Sequence, residues 1–144
     1  MRYWDSSAVV PLVVRQAQSD QVLGWVDEDP ELAAWWGTPV ECGSALARLE
    51  RDGLLAPVDA DRARARLGEL ARSWHEVQPS TDVRRRADRL VRVHGLRSLD
   101  AFQAAAALVL AADHPETLPV ACFDGRLAGA LRHEGFTVLG APYG

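Results

Sequence analysis

Four acidic side chains stand where the sequence pattern predicts strand ends or helix starts. Asp5 follows the apolar segment MRYW, and Asp124 follows LPVACF and directly precedes a helix. Glu41 and Asp100 lie in the segments TPVE and RSLDA, which open two further helices. In parallel α/β folds, ligands bind beyond the carboxyl ends of the strands. We therefore expect the four acids to gather along one edge of a sheet.

Each of these acids also has a purely structural interpretation. Asp5 and Asp124 suit helix N-caps, and Glu41 completes a capping box with Thr38. Asp100, in a first turn, complements the helix dipole. Taken one at a time, capping is the favoured role. Against it, Asp5 and Asp124 interrupt strongly apolar segments, and four carboxylates at one edge would repel one another without a cation.

The ligand chemistry of such a cluster is restricted. Carboxylates without a histidine or cysteine ligand pattern suit a hard cation that prefers oxygen, such as Mg²⁺ or Mn²⁺. The four histidines follow no motif. Cys42 and Cys122 lie in apolar surroundings without metal-ligand spacing, which predicts buried, reduced thiols. A Mg²⁺ or Mn²⁺ site is therefore the functional interpretation of the four acids.

Helical and strand signals alternate along the chain, which predicts an α/β fold with a mostly parallel central sheet. The clearest helix has Thr38 as N-cap, Pro39 at its first position and Gly53 as its stop. The apolar stretch 9–14 of the first helix fits either the core or an interface. Helices are predicted over 6–18, 21–28, 38–53, 59–75, 81–94, 99–112 and 125–135, and strands over 1–4, 31–36, 76–79, 118–123 and 136–140.

Length and composition predict a single soluble domain over residues 1–144. The apolar fraction of 48% and the charged fraction of 25% are those of an ordinary globular protein. No apolar stretch approaches the ~20 residues of a membrane span, and Asp5 interrupts the N-terminal apolar run. We therefore expect no membrane anchor, no leader and a cytoplasmic location.

Four segments together resemble the acidic motifs of a known family. MRYWDSSA, TPVECGSALARL, GLRSLDAFQAAAAL and ACFDGRLAGALRHEGFTVL are similar, in order and spacing, to the motifs of the PIN domain. The closest subgroup is the VapC-type ribonuclease toxins of bacterial VapBC toxin–antitoxin systems. The resemblance spans nearly the whole chain and implies a three-layer α/β/α sandwich. It also implies that Ser7 supports the first acid and that the metal-site residues are Asp5, Glu41, Asp100 and Asp124.

The function implied by this resemblance is a Mg²⁺- or Mn²⁺-dependent endoribonuclease that acts as the toxin of a type II toxin–antitoxin pair. Metal-activated water would hydrolyse an RNA phosphodiester. Asp5 and Asp100 would bind the main ion, and Glu41 and Asp124 would complete its shell. The implied partners are a small VapB-like antitoxin that covers the site, an RNA substrate and a second copy in a homodimer. Cys122 departs from the family pattern, which often has Thr or Ser there.

Arginine alone provides the 16 basic residues, because the chain contains no lysine. The net charge of -4 lacks the basic bias of many nucleic-acid-binding proteins, although basic side chains can be segregated. Arg97 and Arg126, close in sequence to Asp100 and Asp124, are candidates for contacts with RNA phosphates. The arginine-rich segment 84–92 is a second candidate, but a solvated helix face is its favoured role.

Two other functions are consistent with parts of the pattern. A non-catalytic α/β protein-binding module would need the acids only as helix caps. A phosphoryl-transfer domain, of the receiver or haloacid dehalogenase type, would also have an acidic Mg²⁺ site. Those domains typically use a lysine, which this chain lacks, and the segment Asp5-Ser6-Ser7 lacks the second Asp of a DxD motif.

Overall fold

The computed structural model describes residues 1–142 and contains a five-stranded sheet. All four pairs of neighbouring strands are parallel. Parallel neighbours require crossover connections, which helices provide. The predicted α/β class with a mostly parallel sheet is confirmed. The strands, in chain order, are β1 (Arg2–Trp4), β2 (Leu32–Trp35), β3 (His75–Val77), β4 (Val120–Cys122) and β5 (Val138–Gly140). Across the sheet they lie in the order β3-β2-β1-β4-β5.

Seven α-helices connect and cover these strands within residues 1–142. Helices α1 to α4 pack on one face of the sheet and α5 to α7 on the other, which gives the predicted α/β/α sandwich. None of the helices in this range is both long and apolar enough to cross a membrane. The helices are α1 (Ser6–Val13), α2 (Ser19–Glu28), α3 (Thr38–Arg51), α4 (Pro57–Ser73), α5 (Thr81–His94), α6 (Ser98–Leu110) and α7 (Gly125–His133).

Alternate side chains of the central strands enter two separate apolar cores. Tyr3 belongs to the core under α5–α7, whereas Trp4 belongs to the core under α1–α4. This follows from the strand geometry, because successive side chains point to opposite faces of a sheet. The apolar stretch of α1 also belongs to the core, since Val9, Val10 and Val13 are buried. The two cores pack against both faces of β1 and thereby fix the position of Asp5, the residue that follows it.

Six of these seven helices begin or end at residues other than those predicted, and α1 and α4 show the physical reasons. Helix α1 ends at Val13, whereas the prediction continued to residue 18, because Val14 is extended and the Ser19 hydroxyl bonds the Pro11 carbonyl oxygen. Helix α4 runs over Pro57–Ser73 rather than 59–75. A proline suits the first turn of a helix, and residue 75 is taken up by β3.

The predicted start of α3 is wrong by one residue. Gly37 is the N-cap, and Thr38 is already helical. The Thr38 hydroxyl is buried and accepts a hydrogen bond from Gln103 Nε2 at 3.0 Å. No side-chain cap is made at this helix start, so the predicted capping box between Thr38 and Glu41 is absent. The Glu41 carboxylate is instead bonded by Ser6 and Gln103.

Strands β1 and β4 mark the point where the strand order reverses. From β1 the chain adds β2 and β3 on one side, and it then returns to add β4 and β5 on the other. The Asp5 backbone N–H donates to the Ala121 carbonyl oxygen at 3.0 Å, so the ends of both strands lie side by side. The crevice at such a switch point is a common ligand site. Asp5 directly follows β1, and Asp124 lies two residues beyond β4.

Candidate functional site

Asp5 is held at the carboxyl end of β1 as the N-cap of α1. Its Oδ2 accepts hydrogen bonds from the Ser7 backbone N–H at 3.1 Å and from the Ser7 hydroxyl. The Ser7 oxygen in turn accepts a hydrogen bond from the Phe123 N–H at 2.9 Å, which ties the start of α1 to the segment after β4. Asp5 is only 3% exposed. The carboxylate therefore has a fixed orientation, and Ser7 is the residue that fixes it.

Asp124 approaches from the other side of the switch point. It is exposed and caps α7, because its Oδ1 accepts the Leu127 N–H at 2.9 Å. Cys122, at the end of β4, places its Sγ 3.7 Å from Asp5 Oδ2 and 3.5 Å from the Asp124 carbonyl oxygen. Burial, followed by the charge of Asp5, raises the pKa of Cys122, which keeps it a neutral thiol and a weak donor. The residue that departs from the family pattern thus still faces Asp5, with sulfur in place of a hydroxyl.

Asp100 lies in the first turn of α6, partly buried. Burial raises its pKa, and the negative charges of Asp124 and Asp5 raise it further. Arg97 and Arg126 act in the opposite direction and lower the pKa of Asp100. Both arginines are exposed. The two predicted phosphate contacts therefore lie near Asp100 with their guanidinium groups open to solvent.

Glu41 enters the site from the first turn of α3. Its Oε1 accepts a hydrogen bond from the Ser6 hydroxyl at 3.2 Å, and its Oε2 accepts one from Gln103 Nε2 at 2.9 Å. Burial raises the pKa of Glu41 to about 7. The charges of Asp5 and Asp100 act in the same direction, while the two hydrogen bonds oppose it.

The four predicted acids act on one another electrostatically. The charge of Asp124 raises the pKa of both Asp5 and Asp100, and the charges of Asp5 and Asp100 raise the pKa of Glu41. The structure therefore places the four side chains within electrostatic range of one another, and we call them the carboxylate cluster. Repulsion of this kind disfavours ionisation and is concentrated at functional sites. A bound cation would relieve it.

Comparison with known proteins finds similarity only at the level of structure. No protein-family model matches the sequence, and no curated protein matches it. PAE2754 from Pyrobaculum aerophilum superimposes with a TM-score of 0.66 at 23% identity, covering 96% of this chain and 83% of that one. VapC20 from Mycobacterium tuberculosis, a sarcin-ricin loop cleaving toxin, gives 0.64 at 17% identity, covering 95% and 97%. A toxin–antitoxin complex from Klebsiella pneumoniae gives 0.59 at 15% identity, covering 86% and 87%.

These neighbours include PIN-domain toxins of toxin–antitoxin systems. The chain has a PIN-like fold. The fold implied by the four sequence motifs is thus confirmed, although the identities of 15–23% carry no statement about activity. In this PIN-like fold, Asp5 and Asp124 of the carboxylate cluster lie at the switch point of the sheet, just beyond the ends of β1 and β4.

The donor atoms of the carboxylate cluster suit a hard cation, but they are not gathered around one point. Within residues 1–142, no group of three or more His, Cys, Asp or Glu side chains is arranged to hold a metal ion. The Asp124 carboxylate is turned to the Leu127 N–H, and Asp5 Oδ2 is bonded by Ser7. Four carboxylates that repel one another nevertheless form the donor set that Mg²⁺ and Mn²⁺ prefer. An ion would have to compete with these local hydrogen bonds.

A largely apolar pocket of about 790 Å³ opens beside Glu41. Trp36, Val40 and Leu99 line it and are 55%, 77% and 58% exposed. Arg84, from the first turn of α5, also borders this pocket. The site therefore combines carboxylates on one side with an exposed apolar surface on the other.

The remaining arginines of segment 84–92 make ion pairs within the chain, as expected of a solvated helix face. Their exposure and short sequence separations make most of these pairs weak contributors to stability. The pairs are Arg85–Asp82, Arg86–Asp82, Arg86–Asp113, Arg89–Glu134 and Arg92–Asp88.

Sequence analysis missed two buried polar side chains that contact the site. Gln103 is 1% exposed and bonds Glu41, and Tyr3 is 1% exposed and bonds Gln103. A signal for Gln103 was present in the segment AFQAAAAL, where a single amide stands in an apolar run one turn after Asp100. Residues three apart share a helix face, so Gln103 had to face the same side as the acid.

Proposed function

We propose that the chain is a Mg²⁺- or Mn²⁺-dependent endoribonuclease and the toxin of a type II toxin–antitoxin pair. The observation that carries the proposal is the electrostatic effect that four carboxylates, at the starts of four different helices, have on one another in a PIN-like fold. The sarcin-ricin loop cleaving toxin VapC20 shares that fold, which supports RNA as the substrate class.

The residues of the cluster would have distinct roles. Asp5 and Asp100 would hold the ion, with Glu41 and Asp124 completing the anionic shell. When bound, the ion would supply a water of lowered pKa and offset charge on the scissile phosphate. Ser7 would hold the Asp5 carboxylate in a fixed orientation beside the ion.

Positive charge at the rim would attract the polyanionic substrate. Arg97 and Arg126 are exposed and act electrostatically on Asp100. Guanidinium groups bind phosphate through charge-assisted hydrogen bonds. The two arginines would hold RNA phosphates on either side of the bond to be cut.

A non-catalytic binding module is the second candidate, and it has its own support. Asp5 and Asp124 both cap helices, as that interpretation requires. It does not account for Glu41, whose two oxygens are bonded by Ser6 and Gln103 rather than by the start of its own helix. Nor does it account for the mutual repulsion within the carboxylate cluster.

An RNA cleavage assay separates the two candidates. Wild type should cut RNA with Mg²⁺ or Mn²⁺, and Asp5→Asn should lower the rate on the order of 10²-fold or more, as expected for loss of a group that acts on transition-state charge. Asp113→Asn is the matched control, because Asp113 is an exposed acid paired with Arg86. It should cut like wild type. Equal cleavage by Asp5→Asn, or full cleavage in EDTA, would contradict the proposal.

The proposed partners are a small VapB-like antitoxin that covers the carboxylate cluster and a second copy of the chain in a homodimer. Neighbours of the same fold include a toxin–antitoxin complex and VapBC2 from Rickettsia felis bound to a promoter DNA fragment. The proposed location is the cytoplasm, where RNA is available. Induced expression in a bacterium should arrest growth, Asp5→Ala should not, and co-expression of a short neighbouring reading frame should restore growth.

A further inference from the structure

Gln103 connects the buried side chain of Tyr3 to Glu41 of the carboxylate cluster. It lies in α6, one turn after Asp100, and is 1% exposed. Its Oε1 accepts a hydrogen bond from the Tyr3 hydroxyl at 2.6 Å. Its Nε2 donates to Glu41 Oε2 at 2.9 Å and to Thr38 Oγ1 at 3.0 Å. A buried amide without such partners would be costly, and here both ends of the amide are bonded.

Tyr3 determines which way the Gln103 amide faces. The Tyr3 hydroxyl donates a hydrogen bond to Gln103 Oε1, so the amide oxygen faces the phenol. In the reverse orientation Oε1 would face Glu41 Oε2, and the hydrogen bond from Nε2 to that oxygen would be lost. The Tyr3 bond therefore keeps the NH₂ group turned toward Glu41.

We propose that Gln103, oriented by Tyr3, is a positioning residue that holds Glu41 in place within the carboxylate cluster. The inference rests on the proposed function, because Glu41 is there an ion-binding side chain. Glu41 has a longer side chain than the three aspartates, so it has more rotamers to lose. Ser6 secures its Oε1 and Gln103 secures its Oε2, which leaves the carboxylate in a single orientation.

The test uses Tyr3→Phe, which removes one hydroxyl and keeps the ring that fills the core. Mn²⁺ affinity, measured by isothermal titration calorimetry, should weaken on the order of tenfold, as for other residues that orient metal ligands. Glu41→Gln should also weaken it, and adding Tyr3→Phe to Glu41→Gln should cause no further loss, because both changes act through the same side chain. Unchanged affinity in Tyr3→Phe, or additive losses in the double variant, would overturn the proposal.

Two controls separate positioning from stability and from the proposed function. Val22→Ala truncates a buried side chain of α2 and should lower the melting temperature without changing Mn²⁺ affinity. The NMR resonances of the Gln103 side-chain amide should shift in both Tyr3→Phe and Glu41→Gln, with or without metal. Resonances that do not shift would overturn the proposal. A wild type that binds no Mn²⁺ would overturn the proposed function itself, and this inference with it.

Discussion

Glu134 and the carboxylate cluster have opposite electrostatic surroundings. Glu134, which follows α7, is paired with Arg89 and hydrogen-bonded to His94. Burial raises the pKa of Glu134, but these bonds outweigh burial and the pKa is lowered. In the carboxylate cluster the balance is reversed, and the pKa values of Asp5, Glu41 and Asp100 are raised.

The contrast shows that the raised pKa values in the carboxylate cluster come from its local surroundings and not from a shortage of basic residues in the chain. Arginines are abundant, and the fold uses them to neutralise Glu134 and Asp113. At the switch point it places Arg97 and Arg126 at the rim, where they only moderate the pKa of Asp100. Charge left uncompensated in a crevice is a physical reason to expect a cationic ligand there.

Divalent cations should distinguish the carboxylate cluster from Glu134 most strongly. An ion that binds only the folded state at 100 times its dissociation constant stabilises it by about 2.7 kcal/mol. Mn²⁺ should therefore raise the melting temperature of wild type, and Asp5→Asn combined with Asp100→Asn should abolish the gain. Glu134→Gln, which removes a carboxylate outside the cluster, should retain it. Scanning calorimetry with Mn²⁺ and with EDTA measures the shift, and an undiminished gain in the double variant would disprove the metal site.

Removal of the paired carboxylate should cost stability without affecting the metal. Glu134→Ala leaves Arg89 and His94 without their acceptor, and we expect a loss of about 1–3 kcal/mol in the free energy of unfolding. Glu116→Ala is the control, because Glu116 is an exposed partner of His114 and should cost little. Urea denaturation measures both. A loss for Glu134→Ala no larger than that for Glu116→Ala would show that the pair contributes nothing.

The smallest expected effect is the pH dependence of the metal-free protein. The pKa of Glu41 is raised from 4.5 to about 7, so its contribution to stability is present below pH 4.5 and is lost as the pH rises through about 7. The loss should be about 1 kcal/mol, since solvent reduces the effect, and Glu41→Gln should remove it. Glu134, whose pKa is lowered, acts oppositely, because its contribution is lost as the pH falls. Denaturation in EDTA over a pH series that extends from below pH 4.5 up to pH 8 tests both signs.

Local signals in the sequence were sufficient for some elements and not for others. Helix α5 has the predicted ends, Thr81 and His94, because Gly95 adopts a left-handed conformation with φ of 65° that stops the helix. The start of α3 was not predictable in the same way. Thr38 is a good cap by residue type, but its hydroxyl is used by Gln103, 65 positions away.

The same distinction applies to the site. The alternation of strands and helices was enough to place Asp5 and Asp124 at one sheet edge, because both follow strands that the pattern identified. The hydrogen-bond network that holds Glu41 could not be predicted in this way. Tyr3 and Gln103 are 100 positions apart, and their bond depends on how α6 packs against β1, which no local pattern encodes.

The hydrogen bond between Ser7 and Phe123 joins the two sides of the switch point across 116 positions. During translation, Asp5 leaves the ribosome long before Asp124 is synthesised, and β1 has no β4 beside it until then. A nascent chain therefore carries only part of the cluster. Any activity that needs the complete cluster begins only when the late strand β4 enters the sheet beside β1.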